Sequence, residues 1–172
     1  MGPVNTQQQS APRPDATEGL HIVFVCHGNI CRSPMAERMA EQAADEAGLE
    51  HVRFSSAGVS SEEAGNPIDP RAVRKLRELG CRTGDHRAHR ITADEARGAD
   101  LIICAEQRHA DRVVGLDAEL APRVMLLTDF VPGAEPGSGV PDPWYGDASG
   151  FDDTADTIAA ALPAILDRTR SS

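Results

Sequence analysis

The chain has 172 residues, 40% of them apolar, 26% charged and only 3% aromatic, with a formal net charge of −10. That length suits one domain with a sizeable core, and no apolar run approaches the roughly 20 residues needed to span a bilayer. The acidic balance argues against nucleic acid or an anionic membrane as a general partner, because both attract a basic face; an anionic substrate would have to be held by local positive groups.

Residues 1–19 carry Gln, Pro, Thr and Ser but no apolar h-region. They read as a flexible tail rather than a signal peptide, which leaves the cytoplasm as the expected compartment and 20–170 as the folded domain. His21-Ile22-Val23-Phe24-Val25 is a short β-branched run, predicted as a buried strand. Ser33-Pro34 is then predicted to open a helix through about Gly48, with serine as N-cap, proline at the first position and glycine at the stop. Val52 to Ser55 reads as a second strand. Asp69-Pro70-Arg71 to Gly80 repeats the cap, proline, amphipathic run and terminal glycine, with Val73, Leu76 and Leu79 on one face.

Thr92 to Gly98 reads as a short helix, Leu101 to Cys104 as a buried strand, and a further helix runs to about Val114. Val124 to Leu127 reads as a fourth strand and Asp152 to Arg168 as a closing helix despite Pro163. Between them, the Pro- and Gly-rich stretch from Val131 to Pro143 reads as a long loop, of the kind that is usually functional. Strands alternating with helices predict an α/β three-layer sandwich, a parallel sheet with helices on both faces that binds ligands outside the carboxyl ends of its strands. No internal repeat is present.

The four cysteines, Cys26, Cys31, Cys81 and Cys104, form no Cys-x-x-Cys pair and lie near no His at zinc-finger spacing. Free thiols and no metal site are the expectation. Most free cysteines are buried apolar residues, and Cys81 and Cys104 read as such. Cys26 differs because it leads into His27-Gly28-Asn29-Ile30-Cys31-Arg32-Ser33, between a predicted strand and a predicted helix. Gly28 and Asn29 tolerate left-handed backbone, so the loop can turn its N–H groups inward around an anion. The helix directs its positive end at the same point, and Arg32 can clamp two phosphoryl oxygens. Settings of this kind favour thiolate over thiol and lower cysteine pKa values to about 3.5–7.5. The same donors stabilise charge in a phosphoryl-transfer transition state. The alternative is a buried Cys26 before an ordinary strand-to-helix turn.

An alkoxide or phenoxide leaving group wants a proton, and Asp142, in Val140-Pro141-Asp142-Pro143-Trp144-Tyr145, is the best-placed acid. Flanking prolines stiffen its loop. Trp144 and Tyr145, the only Trp and Tyr in the chain, read as walls for a flat ring, or else as a plug that pins the loop.

These motifs, with Pro34, Glu37, Ser56-Ala57-Gly58, Gly65-Asn66-Pro67 and Asp85-His86-Arg87, resemble the low-molecular-weight protein-tyrosine phosphatases from about Leu20 to Arg168. The resemblance implies a four-stranded parallel sheet flanked by helices, the phosphotyrosine phosphatase I-like fold. It implies Cys26 as nucleophile, Arg32 as phosphate ligand, Asp142 as acid and then base, and the loop from His27 to Ser33 as phosphate cradle. Asn29, Ser33, Ser56 and His86 match a network that shapes the loop and activates the thiol. Cys31 matches a loop cysteine that in many members forms a reversible disulfide with the nucleophile. Tyrosine-phosphorylated proteins are the implied partners, with no cofactor, and a monomer is expected. Two departures stand out. Glu62 and Glu63 occupy the stretch where the family usually has a bulky aromatic, and His27 occupies a position where small or apolar residues are common.

Two enzyme alternatives share the fold. Phosphoarginine phosphatases carry Thr where this chain has Ile30, and arsenate reductases need two further relay cysteines, whereas Cys81 has no partner a few residues on. A non-catalytic phosphate-binding or thiol redox-sensing module would keep the cradle and could dispense with Asp142.

Overall fold

A computed structural model describes residues 19–170; all but Gly19 of the expected tail, 1–19, lies outside the described residues. Strands β1 (Leu20–Cys26), β2 (Val52–Gly58), β3 (Leu101–Cys104) and β4 (Val124–Leu126) form one parallel sheet in the order β2-β1-β3-β4. Helices α1 (Arg32–Glu46), α2 (Pro70–Glu78), α3 (Ala93–Arg97), α4 (Gln107–Leu116) and α5 (Ser149–Arg170) cover it. Side chains alternate across β1. Ile22, Phe24 and Cys26 pack with Met35, Leu76 and Ile158 from α1, α2 and α5, whereas Val23 and Val25 pack with Ala96 and Val113 from α3 and α4. A strand covered on both faces needs an unbroken apolar run, as β1 has. The result is the expected three-layer α/β sandwich. No described helix is long and apolar enough to cross a membrane.

β1 has β2 on one side and β3 on the other, with Cys26 opposite Gly58 and Val25 opposite Cys104. The sheet order therefore reverses at β1, and this is where a crevice opens beyond the carboxyl ends of the strands.

Several helix ends obey the expected chemistry. Asp69 caps α2 by accepting the Arg71 N–H at 2.8 Å, Pro70 is the first helical residue, and Gly80 comes after the helix at φ 80°. Thr92 caps α3 by accepting the Glu95 N–H. The start of α1 is a correction: the helix opens at Arg32 with Cys31 in the cap position, so Ser33 is not the N-cap. Its hydroxyl is turned instead toward the sulfur of Cys26. Pro34 is tolerated in the first turn because N–H groups there have no intrahelical acceptor.

Other bounds shift by one to three residues. β2 continues three residues past Ser55 to Gly58, β4 ends at Leu126, and α5 starts at Ser149 rather than Asp152. α5 runs through Pro163, which is exposed, while Leu162, Ile165 and Leu166 beside it are buried. Tertiary packing of that face outweighs an intrinsic proline cost of about 3 kcal/mol. The loop expected from Val131 to Pro143 contains no strand or α-helix, and is pinned where the Val140 N–H donates to Ala105 O at 2.8 Å, just past β3.

Candidate active site

β1 delivers Cys26 to the crevice with 2% of its surface exposed. The chain then turns back into α1 through Asn29, which at φ 65° is the one non-glycine with positive φ among the described residues. Gly28, which could also tolerate that conformation, is not left-handed. A small residue still suits the position, since a Cβ would lie 3.1 Å from Glu63 Cγ. Gly58 has a stronger reason: a Cβ on it would stand 2.6 Å from His27 O and 3.2 Å from Asn29 N. The end of β2 is the floor on which the loop lies.

The side chain of Asn29 is completely buried and holds the loop from inside. Its Nδ2 donates to Ser33 Oγ at 2.9 Å and to Ser56 Oγ at 3.1 Å, and its Oδ1 accepts the His89 N–H at 3.1 Å. Ser56 Oγ donates its own proton to Glu37 Oε1 at 2.6 Å. The Asn29 carbonyl accepts from His86 Nε2 at 2.7 Å, which fixes the tautomer of that ring, and burial lowers the His86 pKa. Ser33 Oγ, accepting from Asn29, lies 3.0 Å from Cys26 Sγ. With the amide already donating to it, the hydroxyl proton of Ser33 is free to point at the sulfur. Asn29, Ser33, Ser56 and His86 thus form one connected set, joined by Glu37 and His89.

Arg32 is 3% exposed and lines the same pocket as Cys26. Its Nη1 donates to Val140 O at 2.8 Å and to Glu106 Oε2, and its Nη2 lies 3.6 Å from Asp142 Oδ2. Glu106 also accepts from Arg108 Nε and Nη2 at 3.2 Å each. Burial pushes the Glu106 carboxyl up, but the hydrogen bonds from Arg108 and Arg32 outweigh it and hold the pKa at about 2. Beneath lies His109, fully buried, whose Nδ1 accepts the Glu106 N–H at 3.1 Å. Burial, then the charge of Arg32, lowers the His109 pKa to about 3, so the ring stays neutral.

Across the pocket, Asp142 caps the 3-10 turn Pro143–Tyr145, accepting the Trp144 N–H on Oδ1 at 3.0 Å. Trp144 and Tyr145 line the mouth, the latter 85% exposed. Glu62 and Glu63 line the same pocket, the former 3.1 Å from His27 Nε2 and the latter accepting from Asn66 Nδ2 at 2.8 Å. His27, Gly28, Ile30 and Cys31 complete the lining. Cys26, Cys31, Cys81 and Cys104 are all free and buried, and burial pushes the thiols of Cys31, Cys81 and Cys104 up.

Glu106 and His109 escaped the sequence reading. The available signal was position: Glu106 lies two residues beyond the buried strand β3, at the carboxyl edge where such sheets gather ligands. Nothing in the sequence singles out His109. Chemically, the pocket offers a thiol at its base, a guanidinium and free first-turn N–H groups for an anion, and a carboxyl on the far side. That set can receive a phosphate monoester.

Residues 21–171 match the family model described as low molecular weight phosphotyrosine protein phosphatase. The low molecular weight protein-tyrosine phosphatase A of Mycobacterium tuberculosis is 41% identical over 88% of this chain and 92% of its own length. A low molecular weight protein-tyrosine-phosphatase of Streptomyces coelicolor is 35% identical over 87% and 93%. Among solved structures, YfkJ of Bacillus subtilis superposes with a TM-score of 0.83 at 26% identity, covering 89% of this chain and 96% of that one. A variant of the YwlE arginine phosphatase with a phosphorylated active-site serine gives 0.78 at 28%, covering 88% and 96%.

Proposed function

Because the chain belongs to the low molecular weight phosphotyrosine protein phosphatase family, we propose that it hydrolyses phosphotyrosine in proteins through a cysteinyl-phosphate on Cys26. The observation that carries this is the convergence of Cys26, Arg32 and Asp142 on one pocket with aromatic walls. The phosphoryl group sits over the first turn of α1, where the N–H groups of Arg32 and Ser33 lack intrahelical acceptors, and the guanidinium of Arg32 takes its equatorial oxygens. The thiolate of Cys26 attacks phosphorus as the P–O bond to the phenol breaks, and Asp142 gives its proton to the departing oxygen. Water, deprotonated by Asp142, then displaces the thiolate and releases phosphate. Glu106 and Arg108 hold Arg32 at the right height for both steps.

An aryl phosphate is preferred over phosphoarginine. Trp144 and Tyr145 present rings to the leaving group, and Ile30 has no hydroxyl to offer a guanidinium. The proposal extends to a monomer acting in the cytoplasm on tyrosine-phosphorylated proteins, without nucleic acid, membrane, metal or other cofactor.

Turnover of p-nitrophenyl phosphate in EDTA tests the core of the reading. Cys26→Ser should lower kcat by at least about 10³-fold, and Asp142→Asn by about 10²-fold. Full activity in Cys26→Ser ends it. Equal kcat/KM on phosphotyrosine and phosphoserine peptides, or a preference for phosphoarginine, removes the substrate assignment alone.

A further inference from the structure

Arg71 lies outside the pocket lining, yet it joins the two halves of the site. The Asp69 N–H donates to the carbonyl of Ile30 in the nucleophile loop at 2.9 Å, which bolts the start of α2 to that loop. The Asp69 carboxylate in turn grips Arg71 through Nε and Nη2, each at 3.0 Å. The guanidinium then reaches the acid loop, with Cζ 5.2 Å from the Trp144 ring centroid, 4.8 Å from that of Phe151, and Nη1 3.5 Å from Trp144 O. Asp142 takes its orientation from the same place, since its Oδ1 accepts the Trp144 N–H.

The loop that carries Asp142 is anchored before it at Val140, whose N–H donates to Ala105 O and whose carbonyl accepts from Arg32 Nη1, each at 2.8 Å, and beyond Asp142 the guanidinium of Arg71 meets it at Trp144. Gly133, Gly137 and Gly139 all sit at positive φ, and a Pro- and Gly-rich loop that long must be fixed by contacts at its ends. Building on the phosphatase reading, we propose that Arg71 is the positioning residue for Asp142, fixing the distance between the general acid and the Cys26 loop. A planar guanidinium suits the role, because it forms a fork with one carboxylate while stacking on two rings, which an ammonium cannot do. A displacement of about 1 Å at a catalytic group costs about 10²-fold.

Leaving-group chemistry separates proton donation from phosphate binding. Arg71→Met and Arg71→Lys are compared with wild type on aryl phosphates of increasing phenol pKa, from p-nitrophenyl to phenyl phosphate and phosphotyrosine peptide. The expected result is a steeper dependence of kcat/KM on leaving-group pKa: a loss of about 10-fold or more on phosphotyrosine and only about 2-fold on p-nitrophenyl phosphate. In an Asp142→Asn background the same substitutions should add no further selectivity, because the group they position is gone. Arg71→Lys keeps the charge and carries the test if Arg71→Met does not fold. Equal losses across the series, no loss, or additivity with Asp142→Asn overturns the inference while the phosphatase reading stands. A wild-type chain inert on every aryl phosphate overturns both.

Discussion

Asn29 occupies a left-handed conformation with every polar atom of its buried amide engaged, by Ser33, Ser56 and the His89 N–H. Its loss would therefore carry two penalties. A Cβ-bearing residue without a side-chain amide loses roughly 1–2 kcal/mol to the left-handed backbone, and buried partners left unsatisfied cost about 1–3 kcal/mol each. Asn29→Ala should lower the urea-unfolding free energy by about 2–4 kcal/mol, and Asn29→Gly by about 1 kcal/mol less, since glycine keeps the backbone and forfeits only the bonds. Equal losses in the two variants would mean that φ 65° carries no strain. The sequence pointed to Asn29 as a turn former and, through the family resemblance, as part of a network. It could not show that His89 and Glu37 close that network, because no local spacing links them.

At the level of elements, the loop from Cys26 to Ser33 depends on the last residue of β2. Gly58 pairs with Cys26 across the sheet and has His27 O pressed against the place where a Cβ would be. In Gly58→Ala the atom at 2.6 Å is main chain, which cannot swing aside, so the loop itself must lift. KM for an aryl phosphate should rise by about 10-fold or more, with far-UV circular dichroism unchanged and stability lower by about 1–3 kcal/mol. Unaltered kinetics would show that the loop does not rest on β2. The start of α1 also departs from its local signal. Ser-Pro before an amphipathic run predicts a cap at Ser33, yet the helix opens at Arg32 and leaves its first N–H groups without a side-chain acceptor. A capping side chain would occupy the space an anion needs, and the Ser33 hydroxyl is engaged with Cys26 instead.

For the molecule as a whole, the pH dependence of stability should report the hydrogen-bonded pair of His109 and Glu106. His109 is held at about 3, below its ordinary 6.5. The unfolded chain therefore takes up a proton that the native state refuses, and stability present above pH 6.5 is lost progressively as pH falls toward 3. Glu106 acts lower down: with its pKa at about 2 against an ordinary 4.5, its contribution is complete above pH 4.5 and disappears as pH falls toward 2. Urea midpoints measured from about pH 7 to about pH 4 should decline in wild type and decline less in His109→Asn; identical slopes would show that His109 protonates as easily folded as unfolded. Much of this protein was determined by sequence alone. The apolar run of β1, the cap and proline of α2 and the loop from Cys26 to Ser33 are local, and local sterics, hydrogen bonding and side-chain periodicity act over a few residues wherever they occur. What stands across the crevice was decided only by the tertiary structure. Glu106 meets Arg32, Arg71 meets Trp144 and Gly58 meets His27 because a parallel sheet brings the carboxyl ends of distant strands to one edge. The positions that meet there are set by strand order and register, which no short stretch of chain encodes.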